Sequence, residues 1–251
     1  MKTALILHGW PQRISNTHPL YRLLDKLSFK VISPYLFAKE VKFNPEKIQE
    51  YIEKILKYKN PDLIVGVSLG GLIAPYIALC YPKSKLVLIA TGPYLRSDNK
   101  TFKWFVRLAK SKYYLKAFSF LNYLPKGVRI MFYKLVNPHK GGDANDFNGD
   151  MEKNIEEIKK IPLTKQIEIL KFITSVNNTK IMEELKNKTL VICGRNDKLM
   201  PLSLSRKMCN LIDESTLYIS GGEHYSTLNK GAFDGIKGFV LQRALKRKSS
   251  T

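Results

Sequence analysis

One serine in the chain stands in a setting that suits a nucleophile. The segment 66–71 reads GVSLGG, so Ser68 has a glycine two positions before it and another two positions after it. The segment 62–65 before it is typical of a buried strand, and the apolar run 72–79 after it is typical of a helix. A sharp strand-to-helix turn exposes the hydroxyl above the sheet, and a Cβ atom at either glycine would collide across the turn. The segment therefore predicts a nucleophile elbow, against the alternative of a solvated serine in a glycine-rich turn.

A serine hydroxyl becomes a good nucleophile only when a base takes its proton. The chain has four histidines, and His224 follows the last predicted strand, which places it at the sheet edge that carries Ser68. Asp197 follows the neighbouring predicted strand at the same edge, where a carboxylate would fix the tautomer of the histidine and stabilise its charged form. We predict a catalytic triad of these three side chains. The alternatives are a surface histidine and an aspartate that caps a turn or a helix.

Acyl transfer from a carbonyl also needs two N–H donors for the oxyanion that forms. The backbone N–H of Leu69, directly after the serine, is one of them. The loop after the first predicted strand supplies the other, and we assign it to the N–H of Trp10 because Gly9 lets the backbone approach closely. His8, just before this glycine, is assigned a structural role rather than a catalytic one.

The composition indicates which classes of protein are compatible with the chain. Of the 251 residues, 44% are hydrophobic, which is enough for a substantial core, and no run of 18 apolar residues suggests a membrane span. The N-terminus lacks the long apolar core of a signal peptide. Three scattered cysteines argue against a disulfide framework and favour the cytoplasm. No cysteine–histidine spacing suggests a metal site, so we expect neither a metal nor a cofactor, and nothing indicates the oligomeric state.

Strand and helix patterns alternate along most of the chain. Short apolar runs bounded by turn residues predict strands at 3–8, 29–34, 62–68, 85–91, 189–194 and 216–220. Helical patterns lie near 18–27, 45–58, 69–81, 201–211 and 230–247. This alternation predicts an α/β fold with a mostly parallel, doubly wound sheet of about six strands. Pro19 and Pro45 suit the first turns of helices, and Pro75 is expected to kink or strain the helix behind the elbow.

Residues 94–180 break the alternation, because they contain no obvious strand. We predict a core of 1–93 and 181–251 and a helical cap insertion of 94–180 that lies over the active edge of the sheet and selects the substrate. The loop 137–150, rich in Gly, Asn and Asp, is expected to be mobile and to gate entry. Most of the aromatic residues in the first half of the insertion are expected to form its own core and a minority to face the serine: Phe102, Trp104, Phe105, Tyr113, Tyr114, Phe118, Phe120, Tyr123, Phe132 and Tyr133.

The charge balance is strongly basic, with 42 Lys and Arg against 21 Asp and Glu and a net charge of +21. The stretch 96–140 has eleven basic residues and one acidic residue, so it carries +10 of that excess. A basic cap beside a hydrolytic site suits an anionic partner, such as an acidic carrier protein, an anionic membrane surface or a carboxylated substrate. Nucleic acid ranks low because no recognition module accompanies the charge. The alternative is a lysine-rich, solvated surface without a binding role.

Four motifs, at 5–10, 66–71, 194–201 and 221–225, together resemble those of the α/β-hydrolase superfamily. The resemblance covers nearly the whole core and implies a serine triad in the chain order nucleophile, acid, base. It also implies a cap inserted after the sixth standard strand and the loss of the first two standard strands. A serine at the elbow is similar to esterases, lipases, thioesterases and lactonases, and differs from the relatives that carry aspartate there. The pairing of HGW with SLGG resembles the carboxylesterases that demethylate pimeloyl esters on acyl carrier protein.

These observations together favour a cytoplasmic serine hydrolase that cleaves carboxylic esters of small to medium acyl groups through an acyl-enzyme intermediate. The same site would suit an ester on acyl carrier protein, a thioester, a lactone or a lysophospholipid. A catalytically silent binding protein that retains the fold is the alternative outside enzymes.

Overall fold

The computed structural model describes residues 1–11, 13–57, 59–96, 100, 125, 127–128, 154 and 156–241. Its strands are β1 (Lys2–Leu7), β2 (Phe29–Ile32), β3 (Leu63–Val67), β4 (Lys85–Ile89), β5 (Thr189–Gly194) and β6 (Ser215–Ser220). They form one sheet in the order β2-β1-β3-β4-β5-β6, and every neighbouring pair is parallel. The predicted α/β fold with a six-stranded, doubly wound sheet is confirmed.

Helices cover both faces of this sheet. They are α1 (Pro19–Lys26), α2 (Pro45–Leu56), α3 (Leu69–Cys80), α4 (Leu163–Ser175), α5 (Thr179–Glu184), α6 (Leu202–Leu211) and α7 (Lys230–Val240). Helices α1 and α7 pack on one face and helices α2 to α6 on the other, each with its own cluster of buried side chains. Because successive residues of β1 point to opposite faces, Ile6 joins the first cluster and Leu7 the second. Burial on both faces explains why the inner strands β1, β3, β4 and β5 are largely apolar, whereas the edge strands β2 and β6 have exposed positions and include polar residues.

Strands β1, β2, β3 and β4 end one or two residues earlier than the sequence predicts. At the ends of β3 and β4 the backbone turns, because Ser68 and Ala90 have positive φ angles of 50° and 49°. At the edge of the sheet, pairing of β2 with β1 stops at Ile32, and Pro34 lies just beyond without an N–H to donate. The apolar pattern continues past these points, but the hydrogen-bonded ladder does not.

The helix starts follow the prediction closely. Pro19 and Pro45 are the first residues of α1 and α2, where the missing N–H costs nothing. The side chains of His18 and Asn44 cap these two helices by accepting hydrogen bonds from backbone N–H groups of the first turn. Helix α3 runs without interruption through Pro75, so this residue does not end the helix.

The predicted insertion leaves the core after β4 and returns through α4 and α5. Its two ends meet, because Tyr94 and Asn177 form an antiparallel bridge and the N–H of Asn178 donates to the carbonyl of Pro93 at 2.7 Å. The ten aromatic residues predicted to form the cap and its core, and the loop 137–150, lie outside the described residues, as does the chain beyond 241. The division into core and cap therefore stays a prediction. None of the described helices is both long and apolar enough to cross a membrane.

The three cysteines are all free thiols. Cys193 is buried in β5, whereas Cys80 is exposed at the end of α3 and Cys209 lies half-buried in α6. Burial raises the pKa of the Cys193 thiol to about 11, which keeps it protonated and unreactive at neutral pH. No disulfide links the three cysteines, all of which lie within the described residues.

Candidate active site

Ser68 lies at a sharp turn between β3 and α3, with φ 50° and ψ −111°. A Cβ atom at Gly66 would lie 2.7 Å from the carbonyl oxygen of Gly70, so the predicted collision across the turn is confirmed for Gly66. At Gly70 the reason is different: a Cβ atom would run into the backbone carbonyl of Leu7 in the neighbouring strand β1. The two glycines thus let the turn close on itself and let it sit against the sheet.

The hydroxyl of Ser68 faces the ring of His224. Its Oγ lies 2.9 Å from Nε2, across 156 residues of sequence. The loop after β6 holds the histidine in place, because the N–H of Glu223 donates to Oγ of Ser226 at 2.8 Å and Thr227 donates to the carbonyl of Glu223 at 2.7 Å. The His224 side chain is only 8% exposed. A base is therefore within proton-transfer distance of the candidate nucleophile.

Asp197 binds both the histidine and its own loop. Its Oδ2 lies 2.8 Å from Nδ1 of His224, and its side chain is fully buried. Its Oδ1 accepts hydrogen bonds from the N–H groups of Leu199, at 2.9 Å, and Met200, at 2.8 Å. The sequence left open whether this residue orients the histidine or serves a turn, and the structure gives it both sets of contacts.

The hydrogen bonds fix how the imidazole can act. A carboxylate only accepts, so Nδ1 of the neutral His224 ring carries the proton and Nε2 presents a lone pair to Ser68. In this tautomer the ring can take the serine proton, and Asp197 stabilises the imidazolium that results. The structure brings the three predicted residues together in the arrangement that general-base activation of a hydroxyl needs. Their catalytic roles remain predictions.

The predicted oxyanion donors belong to two segments that adjoin the nucleophile. Leu69 is the first residue of α3, so its N–H has no acceptor within the helix. Gly9 lies against the elbow, since a Cβ atom there would be 3.3 Å from Cβ of Ser68. The next N–H along the chain is that of Trp10, and no described residue accepts a hydrogen bond from it. Leu69 and Trp10 pack on the same apolar cluster.

His8, beside this loop, is fully buried and makes two hydrogen bonds. Its Nδ1 lies 2.7 Å from the carbonyl oxygen of Gly9, and its Nε2 accepts from the N–H of Leu36 at 2.9 Å. Burial lowers the pKa of His8 to about 4, so the ring is neutral at physiological pH. The sequence predicted a structural role for His8, but nothing in it pointed to Leu36 as a partner.

Of the other two histidines, only His18 lies within the described residues. His18 caps α1, and burial lowers its pKa. His139 falls outside the described residues. Within those residues no group of three or more His, Cys, Asp or Glu side chains could hold a metal ion. The absence of a metal or cofactor requirement stays a prediction.

A polar cavity adjoins the acid side of the triad, and sequence reasoning did not anticipate it. Its volume is about 540 Å³. It lies between the loop after β5, the start of α6 and the loop after β6, and is lined by Arg195, Asn196, Asp197, Lys198, Pro201, Leu202, Ser203 and Glu223. The site therefore has a polar, charged flank in addition to the apolar surface near the oxyanion loop.

Comparisons with known proteins agree with the fold described above. A family model described as the alpha/beta hydrolase fold matches residues 42–230. No protein of curated function shows significant sequence similarity to the chain. Among solved structures, a bromoperoxidase from Bacillus anthracis superposes with a TM-score of 0.71 at 18% identity, over 96% of this chain and 92% of that one.

Two further solved structures are similar at the same low identity. A hydrolase, MGS-M2, from a Medee basin deep-sea metagenome library has a TM-score of 0.69 at 18% identity, over 98% of this chain and 92% of that one. A carboxylesterase structure from the thaumarchaeon Nitrososphaera gargenis has a TM-score of 0.68 at 18% identity, over 96% and 90%. At this identity the likeness establishes the shared fold.

Proposed function

Because the chain belongs to the alpha/beta hydrolase fold family, we propose that it is a serine hydrolase of carboxylic esters with small to medium acyl groups. The observation that carries the proposal is the continuous hydrogen-bonded chain from Ser68 through His224 to Asp197, with distances of 2.9 and 2.8 Å. A likeness of fold alone would not point to chemistry, because one fold hosts many functions. The arrangement of these three side chains does point to a reaction, because it suits the activation of a serine hydroxyl by a base.

The reaction proceeds in two halves. Oγ of Ser68 attacks the ester carbonyl while Nε2 of His224 takes its proton, and the imidazolium then gives that proton to the departing alkoxide, leaving an acyl group on the serine. In the second half, His224 takes a proton from water as the water oxygen attacks the acyl carbonyl. The bond between the carbonyl carbon and Oγ of Ser68 then breaks, His224 returns the proton to Oγ, and the carboxylic acid leaves. The N–H groups of Leu69 and Trp10 hold the oxyanion in both halves. Asp197 stays ionised throughout.

The ester class is supported by two observations. Trp10 is only partly buried against the apolar cluster that contains Leu69, so its side chain offers an apolar surface for an acyl chain close to the nucleophile. One of the solved structures of similar fold is a carboxylesterase. Thioesters, lactones, lysophospholipids and esters on acyl carrier protein would present the same carbonyl to Ser68, so a substrate panel containing each of them decides the leaving group.

An anionic partner is a further part of the proposal. The stretch 96–140 carries +10, and most of it lies outside the described residues. An acidic carrier protein or an anionic membrane surface that delivers an acyl group would be attracted by this charge. The support for this part is the charge itself, and the alternative is a solvated lysine-rich surface.

Turnover of short-chain chromogenic esters tests the proposed function. We expect p-nitrophenyl acetate and butyrate to be hydrolysed by the wild type and the rate to fall by at least about a thousandfold in Ser68→Ala, because the nucleophile is lost. Ser175→Ala is the matched control and should leave the rate unchanged, because this exposed serine ends α4 and its hydroxyl donates only to the carbonyl of Phe172 in the same helix. Equal rates in the wild type and Ser68→Ala would refute the triad, and a wild type inactive on the whole panel would favour a silent binding protein.

A further inference from the structure

The two hydrogen bonds of His8 fix its tautomer. The N–H of Leu36 can only donate, so Nε2 of His8 must present its lone pair. In the neutral ring the proton is then on Nδ1, which donates to the carbonyl oxygen of Gly9 at 2.7 Å. Two aromatic rings also contact the His8 ring. Phe37 packs edge-on, with 4.7 Å between the ring centroids, and Tyr35 is stacked, with 5.9 Å between the centroids. A fully buried, rigid ring thus holds one particular carbonyl group.

The carbonyl of Gly9 shares a peptide plane with the N–H of Trp10. Within the part of the chain that the structure describes, the cis bond is the one between Trp10 and Pro11. The peptide between Gly9 and Trp10 is trans, so its C=O and N–H point in opposite directions. A carbonyl held toward His8 therefore leaves the N–H of Trp10 pointing away from His8, within the same peptide plane. Gly9 approaches Ser68 closely, with its Cβ position 3.3 Å from Cβ of the serine.

We infer that His8 is a positioning residue for the oxyanion site: it aims the N–H of Trp10 by holding the carbonyl of Gly9. This inference rests on the proposed function. Glycine has the widest backbone freedom of any residue, so without a fixed carbonyl the peptide after Gly9 can rotate. His8 does not touch the substrate, and its effect on the reaction passes through the peptide that it holds.

Two substitutions separate the two hydrogen bonds. In His8→Asn the side-chain amide nitrogen takes the place of Nδ1 and can still donate to Gly9, but the side chain is too short to reach Leu36. In His8→Gln the amide oxygen takes the place of Nε2 and can still accept from Leu36, but Gly9 loses its donor. Both variants remove the same aromatic packing, so each serves as the control for the other.

The kinetic constants of the two variants test the inference. A lost oxyanion donor costs about 10²–10³ in kcat, so we expect His8→Gln to lower kcat by about 10- to 100-fold with KM changed little, and His8→Asn to keep kcat within about threefold. Affinity for an alkylboronic acid, which forms a tetrahedral adduct with the serine, should fall in parallel with kcat in His8→Gln. Equal losses in both variants, or losses that follow their melting temperatures, would overturn the inference.

The failure of this inference can be told from failure of the proposed function. An active wild type with equally impaired His8 variants contradicts the positioning role alone, whereas a wild type inactive on every ester contradicts the proposed function. If neither His8→Asn nor His8→Gln folds, the tautomer of His8 in the wild type still tests the inference. Nitrogen-15 chemical shifts of the His8 ring should show Nδ1 protonated, and a ring protonated on Nε2 would rule out the bond to Gly9 on which the inference depends.

Discussion

Asp197 binds His224 with one carboxylate oxygen, Oδ2, at 2.8 Å from Nδ1, and leaves the other oxygen to its own loop. The two functions of this side chain, orienting the base and holding the turn, are therefore carried by different atoms. A substitution that keeps one oxygen and changes the other can separate them.

Asp197→Asn is expected to abolish most of the activity while preserving the fold. The amide oxygen can still accept from the N–H groups of Leu199 and Met200, but the amide nitrogen now faces Nδ1 of His224 and favours the wrong tautomer. The corresponding substitution in a serine protease lowers kcat by about 10⁴, and we expect a similar loss. Ester hydrolysis and thermal unfolding are to be measured together, with Asp197→Ala as the variant that also loses the loop bonds. Activity above a tenth of wild type in a folded Asn variant would contradict the role of Asp197.

Gly70→Ala is expected to destabilise the protein, because the added methyl group meets the backbone carbonyl of Leu7, which cannot move aside as a flexible side chain could. We expect a loss of at least about 2 kcal/mol in the free energy of unfolding. Gly221→Ala is the matched control, since its Cβ would have no atom within 4 Å, and its effect should stay within about 0.5 kcal/mol. Urea unfolding of both variants decides this, and equal stabilities would show that the elbow does not press on β1.

The neutral, buried His8 should make stability depend on pH. Burial lowers its pKa from 6.5 to about 4, so between these values the unfolded chain binds a proton that the folded protein does not. The contribution is fully present above pH 6.5 and is lost as the pH falls toward 4, by about 3 kcal/mol in total. Urea unfolding of the wild type and His8→Asn over this range measures it. The variant should lose less stability on acidification, and identical slopes would show that His8 is not the titrating group.

The basic stretch 96–140 should matter for a large anionic substrate and not for a small neutral one. Screening shortens the Debye length to about 3 Å at 1 M salt, so turnover of an acyl group on an acidic carrier protein should drop as salt rises, while hydrolysis of p-nitrophenyl butyrate should not. Exchanging Lys103, Lys110 and Lys116 for Glu should mimic that drop. If the triple variant binds acidic carrier proteins and anionic vesicles as the wild type does, the charge is only a solvated surface.

The elements of the site that depend on local sequence could be predicted. The spacing of Gly66, Ser68 and Gly70 between an apolar strand and an apolar helix defines a turn within a few residues, and parallel strands must carry Asp197 and His224 to the same edge. The bond from His8 to Leu36, 28 residues away, could not be predicted. It depends on where the loop after β2 lies, and no pattern in the sequence says which backbone N–H that loop will present.

The strand ends show the same limit. At the end of β4 the apolar pattern continues into Ala90, but this residue adopts φ 49° and leaves the ladder. Alanine rarely takes this conformation, so its identity gives no signal. The starts of α1 and α2 can be predicted, because Pro19 and Pro45 fit few other helix positions and each follows a side chain that caps the helix.

The most direct test of the account is to identify the residue that a fluorophosphonate modifies. This reagent forms a covalent bond with an activated serine, so peptide mass spectrometry after labelling should find one adduct, on Ser68, in the wild type. His224→Ala, which keeps the hydroxyl and removes its base, should show little or no adduct under the same conditions. Labelling of a different serine, or labelling of Ser68 at the same rate in His224→Ala, would contradict the claim that His224 activates Ser68 as the nucleophile.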